Sequence, residues 1–159
     1  MKIEWSSKVV DETNNILQES NKKPNLIMDA AAAVYLHLLE HPTSGIYNYL
    51  NFVILTDDSG NMNTDQLYAT DEIERITITS SDISVNDNVI TIAFMYENTT
   101  VDSVEVFGKG LVCGGMAEVA DTGNLLETGI LFSKFENDEK ETIPPNCVLL
   151  GSITITVEV

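Results

Sequence analysis

The feature that most constrains this chain is strict alternation at its C-terminal end, where Leu149, Gly151, Ile153, Ile155, Val157 and Val159 fall on one face and Leu150, Ser152, Thr154, Thr156 and Glu158 on the other. A period of two is the signature of an extended strand with one buried side. The same β-branched and aromatic vocabulary recurs in short runs from residue 46 onward, divided by Asn, Asp and Gly: 46–56, 75–79, 89–96, 103–107 and 125–135. Asn86-Asp87-Asn88 reads as a hairpin turn between two of them. Strands at this spacing without intervening helices predict an antiparallel sheet folded into a sandwich, jelly-roll-like in outline.

The first forty residues read differently. Val10, Thr13, Ile16 and Leu17 recur at helical spacing behind a serine cap, predicting a short helix from Ser6 or Ser7 to Ser20. Residues 26–40, with consecutive alanines, no Gly or Pro and Pro42 as a stop, predict a second. The expected fold is therefore mainly β: two N-terminal α-helices (1–43) packed on or extending from a β-sandwich (46–159), in one domain over 1–159. Two segments, 108–123 with its glycines and 136–145 with its charges and paired prolines, read as surface connections.

Charge narrows the roles open to such a fold. With 25 Asp and Glu against 8 Lys and Arg, the formal net charge is −17, which repels phosphate backbones and anionic membranes alike. The longest apolar run, 30–39, is far below the roughly 20 residues a membrane helix needs. No signal-peptide pattern opens the chain, and Cys113 and Cys147 are too few for a disulfide framework. The expectation is a protein made in a cytoplasm, binding neither nucleic acid nor membrane.

Motifs for chemistry are sparse. His37-Leu38-Leu39-Glu40-His41 matches the H-x-x-E-H arrangement, in which two histidines on one helix face share a zinc while the glutamate acts as base. Pro42 puts His41 at a helix end, and the plainer reading is polar residues on an exposed face. Asp57, Ser59, Asn61, Asn63 and Asp65 alternate as oxygen donors, yet Gly60 and Tyr68 do not fall where an EF-hand loop requires its glycine and glutamate. Cys113 beside Gly114-Gly115 has no assignable base, and Asn98-Thr99-Thr100 is a sequon. Trp5, Tyr47, Tyr49, Tyr68 and Tyr96 are the aromatics available to stack on a glycan. No catalytic, cofactor-binding or metal residue is assigned.

The order of elements is more telling. A strand leads into a Gly-containing loop (49–60), followed by Leu67, Glu72-Ile73-Glu74-Arg75, alternating strands over 76–81 and 89–96, Val104-Glu105-Val106-Phe107-Gly108, and the closing Thr154-Ile155-Thr156-Val157. This order resembles the small β-rich structural proteins of bacteriophage tails and baseplates, including N-terminal parts of tail-fibre proteins. The resemblance implies a non-enzymatic virion component without cofactors, assembled in the host cytoplasm as a homo-oligomer docked to other virion proteins. A carbohydrate- or receptor-binding β-sandwich is the alternative, and a zinc hydrolase using His37, Glu40 and His41 a third reading.

Overall fold

The computed structural model describes residues 1–24, 26–28, 50–57, 66–69, 72–117, 119 and 125–158. The described residues form ten strands: β1 (Lys2–Val10), β2 (Ile16–Pro24), β3 (Leu26–Ile27), β4 (Leu50–Thr56), β5 (Glu72–Thr77), β6 (Ile83–Asn86), β7 (Val89–Glu97), β8 (Val104–Cys113), β9 (Ile130–Ile143) and β10 (Val148–Thr156). The described helical structure amounts to one 3-10 turn, Ser80–Asp82, and a single α-helical turn, Leu125–Thr128. Two antiparallel five-stranded sheets result, with strand orders β2-β1-β10-β7-β6 and β3-β9-β8-β4-β5.

Neither N-terminal helix is found among the described residues. The first is replaced by the hairpin β1–β2, paired from Glu4↔Pro24 to Val10↔Ile16. Its physical cause lies upstream of the helical spacing: Ile3, Trp5, Ser7 and Val9 alternate, and all four are buried. The turn is built by Asp11, whose carboxylate accepts hydrogen bonds from the Thr13 and Asn15 backbone N–H groups and from both side chains. Those bonds, Asn15's first, hold its pKa down at about 2, and Asn14 takes the left-handed conformation (φ 63°). The second helix was expected to begin at residue 26, but Leu26 and Ile27 instead pair with Lys134 and Ser133 of β9; residues 29–40 lie outside the described residues.

Other expectations shift with the topology. The closing strand β10 runs through the middle of its sheet, bonded to β1 from Lys2↔Thr156 to Val10↔Val148 and to β7 from Glu97↔Val148 to Val89↔Thr156. Asn86-Asp87-Asn88 is a hairpin turn, with Asp87 at φ 52°, but it joins β6 to β7. Residues 75–77 of the run 75–79 form the end of β5, which pairs with β4 in the other sheet. Neighbouring hairpins β1–β2, β4–β5, β6–β7 and β8–β9 each stay within one sheet and the chain changes sheets only outside them, unlike a jelly roll, in which consecutive strands alternate between the sheets. Residues 108–113 and 136–143, read as connections, continue strands β8 and β9.

The core lies between the sheets. Ile3, Trp5, Val9, Ile92, Phe94, Leu149, Ile153 and Ile155 of the first sheet meet Val53, Leu55, Val106, Leu111, Cys113, Phe132, Phe135 and Ile143 of the second. Trp5 bridges the layers, edge-on to Phe94 (centroids 5.8 Å apart) and stacked on Phe135 (6.5 Å). Gly151 leaves room for Phe94: a Cβ there would fall 2.0 Å from the ring. The second sheet also buries Phe52, Ile54, Val112 and Leu131 on its outer side, with Met28 and Ala69.

The sequon is part of this framework. Asn98 is fully buried, and its Nδ2 donates to the carbonyls of Asp102 and Ile143, each at 2.8 Å, while Oδ1 accepts from Thr100 N–H and Oγ1. Its side chain thus ties the end of β7 to the end of β9. Asn98→Ala leaves the buried Ile143 carbonyl unpaired and dissolves the rest of the network, and is expected to cost about 2–3 kcal/mol in urea unfolding; a loss within error would show the network to be dispensable.

Candidate functional site

The most unusual chemistry sits inside the sandwich. Lys109 of β8 follows the core-facing parity of Leu111 and Cys113 and is 1 % exposed, a position that lysine occupies only when paired. Its partner is Glu141 of β9, 2 % exposed, with Nζ and Oε2 2.6 Å apart. Glu141 Oε1 in turn accepts a short hydrogen bond from Ser7 Oγ of β1, so the cluster spans both sheets. Nζ also lies over the Phe135 ring, 5.5 Å from its centroid. Burial pushes the Lys109 ammonium below the usual lysine range, and the charge and hydrogen bond of Glu141 push back.

A fourth member comes from an irregularity in β9. Opposite β8, Gly108 pairs with Glu136 and Val106 with Glu141, so residues 137–140 face the single residue 107. This bulge brings the Asn137 carboxamide to Lys109: Oδ1 accepts from Nζ at 3.3 Å, and Nδ2 donates to Val106 O at 3.1 Å. Asn137 and Glu141 open onto a groove of about 330 Å³ shared with Gln18, Glu19, Ser20 and Asn21 of β2. Ser7 opens on a shallower groove of about 450 Å³ against the same part of β2. Gln18 closes the end of the groove, donating to Lys140 O and accepting from Thr142 N–H.

The residues singled out from sequence lie elsewhere. His37, Glu40 and His41 are outside the described residues, as are Ser59, Asn61, Asn63 and Asp65, while Asp57 is exposed at the end of β4. Among the described residues no cluster of three or more His, Cys, Asp or Glu is placed to hold a metal ion. Cys113 is a core residue whose thiol burial pushes up to about 12, and it and Cys147 are free and buried. Of the stacking aromatics, Trp5 is 1 % exposed and Tyr96 packs against the core; Tyr47 and Tyr49 lie outside the described residues. No described helix is long and apolar enough to cross a membrane.

Sequence reasoning missed Lys109 and Glu141 because the glycines around Lys109 read as a loop. A signal was present: one lysine inside Val104-Glu105-Val106-Phe107-Gly108-Lys109-Gly110-Leu111-Val112-Cys113, a run otherwise apolar from Val106 onward. No protein-family model, curated protein or solved structure matches the chain.

Proposed function

We propose that the chain is a non-enzymatic structural component of a bacteriophage virion, in the tail, baseplate or fibre-attachment region, acting through association with its own copies and docking to other virion proteins. The observation that supports an assembly role best is the edge strand β6. All four of its residues are exposed, none is charged, and among the described residues it is paired on one side only. Ile83 pairs with Ile92 and Val85 with Ile90, so both side chains extend the core-facing rows past the end of the core; Val85 is 69 % exposed.

In a chain of net charge −17, an uncharged edge is where subunits meet at least electrostatic cost. Two copies of β6 joined antiparallel about a two-fold axis would continue the sheet across the interface. The virion setting rests on the resemblance in element order, and the interface on β6.

Light scattering coupled to size-exclusion chromatography tests the reading. The expected result is an oligomer whose dissociation constant rises at least ~10-fold in Val85→Lys, about 1.4 kcal/mol per interface. A strict monomer at high concentration that binds none of the virion proteins encoded beside it overturns the proposal.

A further inference from the structure

We propose that Lys109 and Asn137 become joined through their side chains by an amide bond, with Glu141 as the acid–base group of the reaction. The three groups that this condensation requires are together. The amine nitrogen is 3.3 Å from the carboxamide oxygen and 2.6 Å from the carboxylate, so amine, carboxamide and carboxylate are already in polar contact and pay little further translational entropy to meet. Val106 O, accepting from Asn137 Nδ2, fixes the carboxamide with its carbonyl toward the lysine. Ser7 holds the other oxygen of Glu141 and leaves Oε2 on Nζ.

The surroundings supply the protonation state. A lysine in water keeps its proton and cannot attack; between apolar walls the charged pair loses its solvation, which favours moving the proton from Nζ to Glu141. Burial acts on Lys109 in that direction. The neutral amine's lone pair then forms a bond to Asn137 Cγ, and the carbonyl π electrons move onto Oδ1. Glu141 relays the proton that the new N–C bond releases to the departing nitrogen. The carbonyl re-forms, the Cγ–Nδ2 bond breaks, and ammonia leaves through the groove that Asn137 and Glu141 line. Amine plus carboxamide gives secondary amide plus ammonia. Glu141 ends as it entered the step, protonated, and no oxidant or other reactant takes part.

The bond would also remove the least comfortable feature of this core, a buried ammonium. It replaces an ion pair between neighbouring strands with a covalent tie across the bulge of β9, a reason for the carboxamide that a simple Lys109–Glu141 pair does not give.

Intact-mass spectrometry of the full chain under denaturing conditions, after several days at neutral pH, is the test. The expected mass is that of the sequence less one ammonia. A tryptic digest should then show residues 135–140, which carry Asn137, joined to 76–134, left uncut at Lys109. Asn137→Ala and Lys109→Met should have their full sequence masses, and Glu141→Gln should remain uncross-linked over the same period while its far-UV circular dichroism stays that of a β protein. The wild-type chain at full sequence mass overturns the proposal, whatever the variants do. So does an ammonia loss that persists in Asn137→Ala or maps to any other pair of residues.

Discussion

Trp5→Ala is expected to lower the free energy of unfolding by about 3–5 kcal/mol, the range for truncating a fully buried large aromatic. Against a typical domain stability of about 5–15 kcal/mol, that is enough to leave a substantial unfolded fraction. The size follows from where the ring sits. Trp5 is 1 % exposed on the core face of the first sheet and is the side chain through which Phe94 of one layer and Phe135 of the other are coupled. Neither neighbour is free to collapse into the void: Phe94 is seated over Gly151, and Phe135 lies beneath the Lys109 ammonium. Trp5→Phe should cost markedly less, because it keeps one ring in place and removes an indole N–H that has no partner among the described residues. Urea denaturation followed by far-UV circular dichroism measures both, since the chain's one tryptophan is lost in each variant. A Trp5→Ala cost below about 1 kcal/mol would contradict a core shared by the two sheets.

How much of this was readable beforehand depends on whether a residue's partner is near in sequence. The alternation of β10 and the turn at 86–88 are local signals, and both are realised. The N-terminal helix failed because its evidence was a coincidence of spacing: Val10 and Ile16 are cross-strand partners on either side of a five-residue turn, which puts apolar residues at intervals a helix also produces. The deciding pattern, Ile3-x-Trp5-x-Ser7-x-Val9, has a polar residue at one core position, and that residue is Ser7, which faces Glu141. Polar side chains spent on a buried cluster blur the period that would announce the strand. The cluster itself was not legible, because Lys109 and Glu141 are 32 positions apart and meet only through the β8–β9 register and its bulge. The closing strand is bonded on both sides, and Leu111, Val112 and Cys113 are buried, so neither offers the open edge that β6 does.

The second large effect is expected at Arg75, on the opposite side of the second sheet. On a regular strand Glu72 and Arg75 would project from opposite faces. The irregularity in β4–β5 pairing, where Thr56 meets Glu72 and Leu55 meets Glu74, skips Ile73 and restores them to one face. The result is a bidentate pair, Nε to Oε1 at 2.7 Å and Nη2 to Oε2 at 2.8 Å, with both side chains 1 % exposed. The guanidinium lies over Phe52 at 5.1 Å and donates to the carbonyls of Met116 and Thr128. It thereby pins the bend after β8 to the helical turn before β9. Gly115, at φ +88°, is what lets that bend come so close: a Cβ there would lie 2.7 Å from Nη1. Removing one partner strands a buried charge, so Glu72→Gln and Arg75→Met are each expected to cost about 3–5 kcal/mol. The double variant should cost less than the sum of the two by at least ~1 kcal/mol, because the charge each single change strands is gone. Both costs can be followed through the fluorescence of Trp5, which neither change touches. Strict additivity would show that the two side chains do not act as a pair, and that the carbonyl contacts alone hold the bend in place.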